Sequence, residues 1–136
     1  MTEVILAMMV WIGQNTDYTI PENGPNVVVT ESHNLCAQYG IDDPSRCKNL
    51  KLMGFYNESQ TVYLHGHFDI NNIPDRSRLL HELVHFVQWH NDLGGDCRGE
   101  LEAEAYTLQG NWRTEQGLAA GTDDFKVMML QASCEA

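Results

Sequence analysis

The chain has 136 residues, which is enough for one domain and too few for two of ordinary size. Hydrophobic residues make up 43% and charged residues 20%, a composition typical of folded globular proteins rather than disordered ones. The formal net charge of −11 argues against nucleic acid and anionic membrane surfaces as partners, because phosphate binding needs a basic surface.

The first half of the chain predicts one helix followed by three strands. Residues 3–14 space their apolar side chains as a helix does, and the β-branched run at 27–30 predicts a strand. Residues 50–56 and 60–65 predict two further strands, and residues 57–59 supply the turn between them. We therefore expect a hairpin in the middle of the chain.

The second half predicts three helices. Asp75 is a suitable N-cap for a helix that runs to about His90. A second long helix is expected over about 98–115, and a short last helix over 123–132. We therefore expect a single α+β domain over residues 1–136, in which an N-terminal helix and a small antiparallel sheet with a hairpin precede the other helices.

The most apolar stretch is not expected to enter a membrane. It covers residues 4–12, which is shorter than the roughly 20 residues that a membrane-spanning helix needs. Glu3 lies where a signal peptide would carry positive charge, and no small-residue cleavage site follows. We interpret this stretch as part of the first helix.

The four cysteines, Cys36, Cys47, Cys97 and Cys134, form no CxxC pair, which argues against a zinc knuckle or a thioredoxin-type site. Their even number allows two disulfides, Cys36–Cys47 and Cys97–Cys134. Two disulfides and the lack of basic tails favour a periplasmic or secreted location over a cytoplasmic one, where four free thiols would be expected.

The segment His81-Glu82-Leu83-Val84-His85 is an HExxH motif within a predicted helix. Residues four apart on a helix lie about 40° apart around its axis, so the imidazoles of His81 and His85 can bind one Zn²⁺ ion. Glu82 lies to the side, where it can hold a water molecule that the ion polarises. We therefore predict one zinc ion per chain, with Glu82 as general base.

The helix around the motif is apolar on nearly all sides, which predicts that it is buried. Two histidines and a glutamate inside a buried helix need polar or metal partners. The alternative to a metal site is a pair of structural histidines that hydrogen-bond to backbone or carboxylate groups.

A catalytic zinc ion takes three protein ligands and leaves a fourth position for water. The predicted helix that follows carries three glutamates, each within about 70–110° of the centre of its apolar stripe, so helical geometry does not choose among them. They are Glu100, Glu102 and Glu104. Outside this helix, His65 and His67 are further candidates for the third ligand.

An HExxH motif followed by a helical glutamate resembles the gluzincin group of zinc metallopeptidases. Several gluzincin-like families carry Glu-x-x-Ala-[Asp/Asn] on the second helix, with the first Glu as a ligand. Residues 102–106 and 100–104 both match this pattern, although Tyr106 replaces the acid or amide in the first match. The first match also places its alanine on the apolar stripe, so the resemblance favours Glu102, with Glu100 and Glu104 as alternatives.

More locally, residues 54–109 resemble small bacterial HExxH domains that combine a tyrosine-rich hairpin, an HELVH helix and a Glu-x-Glu-Ala-Tyr helix. This local resemblance implies a compact, minigluzincin-like fold and does not supply a substrate. The likeness to metallopeptidases is what predicts a peptide or protein as substrate. In zincin-like proteins an edge strand before the active helix binds an extended peptide, which assigns that role to residues 60–65. A metzincin is excluded, because HExxHxxGxxH requires Gly and His where this chain has Gln88 and Asn91.

In the mechanism that the resemblance implies, Glu82 accepts a proton from the attacking water and passes it to the leaving amine. A second group that stabilises the developing oxyanion is expected, and the candidates are Tyr106, Tyr63, His65 and His67. The alternative function is a non-catalytic zinc-binding domain on the zincin scaffold that recognises a protein partner.

Overall fold

The computed structural model describes residues 1–30, 43, 54–56, 60–93, 97–121 and 124–134. In these ranges helices combine with a small sheet, as the predicted α+β class requires. The helices are α1 (Thr2–Asn15), α2 (Ile73–His90), α3 (Arg98–Glu115) and α4 (Asp124–Ala132). The strands are β1 (Asn26–Thr30), β2 (Gly54–Tyr56) and β3 (Thr61–His65). The predicted turn at 57–59 lies outside the described residues.

Helix α2 begins three residues earlier than predicted, because Asn72 and not Asp75 is its N-cap. The Asn72 side chain accepts a hydrogen bond from the Asp75 backbone N–H at 2.9 Å. Pro74 falls in the first turn, where a helix has no use for its missing N–H. The Asp75 carboxylate instead accepts from the Asp69 backbone N–H at 3.0 Å, which ties the preceding loop to the helix.

The sheet has the strand order β1-β3-β2 and is mixed. Strands β2 and β3 are antiparallel, with Phe55 opposite Val62, as the predicted hairpin requires. Strands β1 and β3 are parallel, with Val27 opposite Val62, so the prediction of an antiparallel sheet is wrong for this pair. A parallel pair needs a long connection, and the chain between 30 and 61 provides one.

Strand β3 is the central strand of this sheet, and both of its edges are hydrogen-bonded to neighbours. Its Val62 and Leu64 side chains are fully buried, and Thr61 and His65 are buried as well. Because β3 is paired on both sides over residues 61–63, the prediction that residues 60–65 form an edge strand that binds an extended peptide is wrong over those residues.

Helix α2 is the centre of the fold and packs against α1, α3 and the sheet. Its apolar side chains join those of α1, β3 and α3 in one core, which stabilises the helix that carries the HExxH motif. The core residues of α2 are Leu79, Leu80, Leu83, Val84, Phe86 and Val87. No helix in the part of the chain that the structure describes combines the length and apolar character of a membrane span.

Helix α4 packs along α3 at the C-terminal end of the described chain. Cys97, at the N-cap of α3, and Cys134, just after α4, lie within disulfide distance, with their Cα atoms 5.8 Å apart. This geometry agrees with the second disulfide that the sequence predicts. The other predicted pair, Cys36–Cys47, lies outside the described residues.

Candidate metal centre

Three side chains from two helices converge at the contact between α2 and α3. The Nε2 atoms of His81 and His85 are 3.2 Å apart. One carboxylate oxygen of Glu102, Oε1, lies 3.4 Å from His81 Nε2 and directly contacts His85 Nε2. One nitrogen or oxygen of each residue lies within 4.8 Å of those of the other two, a spacing that could hold a metal ion. The cluster is mostly buried, with His81 8% exposed.

The structure brings Glu102 to the two histidines and places the alternative glutamates elsewhere. Glu100 is exposed in the first turn of α3. Glu104 accepts hydrogen bonds from the Tyr18 hydroxyl at 2.5 Å and from the Gln88 amide at 3.0 Å. Glu104 therefore bonds to Tyr18 and Gln88 and does not converge on both imidazoles as Glu102 does.

Burial of the alanines on α3 does not distinguish Glu102 from Glu100. Ala105 was expected to be buried and Ala103 was not, whereas both are buried, at 0% and 1% exposure. The reason is that α3 packs against α4 as well as α2, so a wider arc of its surface is covered than its apolar stripe indicates.

Sequence comparison assigns a family but no activity. The profile of a domain of unknown function, DUF6647, matches residues 1–136. The chain belongs to the DUF6647 family. No curated protein and no solved structure matches the chain, so the chemistry of this DUF6647 domain has to be argued from the cluster itself.

The catalytic candidate of this DUF6647 domain, Glu82, lies on α2 beside the cluster and is partly buried. Burial raises the pKa of the Glu82 carboxyl above its ordinary value, while the charges of His81 and His85 act in the opposite direction. A carboxyl group with a raised pKa exchanges protons more readily near neutral pH, which is the property a general base requires.

Glu102 and His85 stabilise each other's charged forms. Burial acts to raise the pKa of Glu102, but hydrogen bonds from His81 and His85 outweigh it and hold this pKa well below its usual range. Burial likewise acts to lower the pKa of His85, but the hydrogen bond to Glu102 and the nearby carboxylate charges raise it overall. The cluster therefore strongly favours an ionised Glu102.

The residues of the cluster fit a divalent metal ion. Two imidazole nitrogens and one carboxylate oxygen form the three-ligand set that a catalytic zinc ion takes. Electron-pair donors at these separations repel one another unless a cation or shared protons lie between them. The same three residues are those that the HExxH spacing and the gluzincin resemblance select.

The candidates for a second oxyanion-stabilising group differ in how they lie relative to the cluster. The Tyr106 ring packs on His81 with centroids 4.6 Å apart, and Lys126 Nζ lies 4.1 Å from the centroid of the tyrosine ring. His65 is buried beside the first turn of α2, with its Nε2 3.9 Å from an Asp75 oxygen. Its other nitrogen accepts from the His67 backbone N–H. Of the described candidates, Tyr106 is therefore placed against the cluster.

Helical angle places Gln88 near the metal face of α2, but the sequence predicted no contact between the histidines and either glutamine, Gln88 or Gln109. Gln88 Oε1 lies 2.8 Å from His85 Nδ1, and Gln109 Oε1 lies 3.0 Å from His81 Nδ1. The position of Gln109 could have been predicted, because it follows Glu102 by two helical turns and so lies on the same face of α3. Nothing in the HExxH pattern, however, requires glutamine at either position.

Proposed function

We propose that this chain is a zinc-dependent, gluzincin-like metallopeptidase. His81, His85 and Glu102 are its zinc ligands, and Glu82 is its general base. The proposal depends above all on the convergence of two imidazole nitrogens and one carboxylate oxygen beside a partly buried glutamate. The packing of the HExxH helix between the sheet and the glutamate helix supports a zincin-like fold.

A zinc ion held by these three residues would lower the pKa of a water molecule to about 7 and polarise a peptide carbonyl. The chain itself supplies the proton transfers. The Glu82 carboxylate accepts a proton from the attacking water and then donates it to the leaving amine. The raised pKa of Glu82 brings its proton affinity closer to those of both partners.

We also infer that the domain works in an oxidising compartment, either the periplasm or the extracellular space. The disulfide geometry of Cys97 and Cys134 supports this location, because such bonds persist where thiols are not kept reduced. The proposed substrate is a peptide or protein.

The first test measures zinc per chain in the purified wild type, in Glu102→Ala and in Glu100→Ala. Glu100 is the matched control, since it is an exposed glutamate on the same helix. We expect about one zinc ion per chain in the wild type and in the control, and loss or strong weakening in Glu102→Ala. A wild type that takes up no zinc from solution would refute the proposal.

A further inference from the structure

The side-chain amide of Gln88 is held in one orientation by what surrounds it. Its Nε2 donates to the Leu101 carbonyl oxygen and to a Glu104 carboxylate oxygen, each at 3.0 Å. Neither partner can donate a hydrogen bond, so the nitrogen end must face them and the oxygen end must face His85. Since Gln88 is only 1% exposed, water does not compete for these positions.

The orientation of Gln109 is determined in a different way. Its Nε2 lies 3.3 Å from the hydroxyl oxygen of Ser77. That hydroxyl donates its only proton to the Pro74 carbonyl at 2.7 Å and accepts from Arg113 Nη1 at 3.2 Å. It can therefore only accept from Gln109, which leaves the Gln109 oxygen facing His81.

Each imidazole thus meets an amide oxygen at its Nδ1 atom, and an amide oxygen can only accept. We propose that Gln88 and Gln109 are positioning residues that hold His85 and His81 as Nδ1–H tautomers, so that both Nε2 lone pairs are available to one cation beside Glu102. This inference rests on the zinc site of the proposed function and names the residues that orient its ligands. It also extends the site to Glu104, which accepts a hydrogen bond from Gln88, and to Tyr18, whose hydroxyl donates to Glu104.

The first experiment measures zinc affinity by competition with a chelator. The variants are Gln88→Met and Gln109→Met, which keep side-chain length but remove the acceptor, and Gln14→Met is the control on the exposed surface of α1. Loss of a group that orients a metal ligand typically weakens metal binding about 10–100-fold, and we expect this at both positions but not in the control. Affinities equal to that of the control would overturn the inference while leaving the zinc site in place.

Replacement by glutamate distinguishes orientation from packing. Gln109→Glu keeps an acceptor for His81, and the Ser77 hydroxyl can turn its proton from the Pro74 carbonyl to the new oxygen, so zinc affinity should be retained or increased. Gln88→Glu places the new oxygen against two acceptors, Leu101 O and Glu104, and should weaken binding as the methionine variant does. Equal behaviour of the two glutamate variants would contradict the orientations.

The tautomers can also be read directly, without any variant. Nitrogen-15 shifts of the histidine side chains, recorded in the zinc-loaded wild type, distinguish an imidazole that binds metal through Nε2 and keeps its proton on Nδ1 from one that binds through Nδ1. We expect Nε2 coordination with Nδ1–H at His81 and His85. Coordination through Nδ1 at either position would overturn the inference while leaving the zinc site in place, whereas a protein that takes up no zinc would refute the proposed function.

Discussion

Helix α2 is buried on two sides that are built differently. The side opposite the histidines carries leucines and valines that fill the common core with α1 and the sheet. The side that faces α3 carries His81, His85 and Gln88, whose nitrogen and oxygen atoms contact α3, except that His85 Nδ1 and Gln88 Oε1 contact each other.

The two sides obey different rules. Aliphatic packing is non-directional, so a change there costs stability in proportion to the volume lost. Hydrogen bonds and ion pairs in a buried setting are directional, so a change there leaves particular atoms without partners. Substitutions on the core side should therefore alter stability, and substitutions on the side facing α3 should alter chemistry.

The largest expected effect lies on the chemical side. Glu82→Gln removes the proton acceptor but almost no volume, and we expect peptide hydrolysis to fall by about 10²–10⁴-fold. Zinc content and the thermal unfolding midpoint should show that the metal and the fold are retained. Hydrolysis at the wild-type rate would exclude Glu82 as general base. Bound zinc without hydrolysis in the wild type would instead favour the non-catalytic domain.

A large effect of the other kind is expected at Leu83, which is fully buried and lies about 160° around α2 from both histidines. Leu83→Ala should lower the free energy of unfolding by about 2–5 kcal/mol, measured by urea denaturation of the metal-free protein. Leu6→Ala, at a half-exposed leucine of α1, should change it by less than about 0.5 kcal/mol. If folded Leu83→Ala still binds zinc, packing on the core side does not control metal binding. Loss of zinc in the folded variant would refute the division of roles between the two sides.

The smallest expected effect is on the free energy of unfolding, which the ionised Glu82 carboxylate lowers. Because burial raises its pKa, the folded state binds a proton more readily than the unfolded state, and this carboxyl costs stability as pH rises above its ordinary value of 4.5. In metal-free protein, Glu82→Gln should therefore raise the free energy of unfolding at pH 7, and the gain should vanish below pH 4.5. Glu100→Gln should show no such gain. If the gain in unfolding free energy persists in acid, the raised pKa of Glu82 is not its cause.

Much of the helical framework could be predicted from the sequence. The bounds of α1, α3 and α4 agree with the apolar periodicity to within a residue or two, because that period reflects the local geometry of a helix. The proximity of His81 to His85 also follows from their spacing on one helix. Both inferences concern residues near each other along the chain.

The errors arose where distant segments meet. The parallel pairing of β1 with β3, and the central position of β3, depend on a long connection whose path no local pattern records. The N-cap of α2 was misplaced because Asn72 and Asp75 are both good caps, and the Asp69 loop takes the Asp75 carboxylate.

By itself, the sequence determined the helix that carries His81, Glu82 and His85, and it limited the third ligand to a few residues. Only the tertiary structure decided which glutamate joins them and which glutamines hold the imidazoles. The physical reason is that helical periodicity is enforced by hydrogen bonds four residues apart. The partner of a buried polar atom is selected instead by how two helices pack, to which many distant side chains contribute.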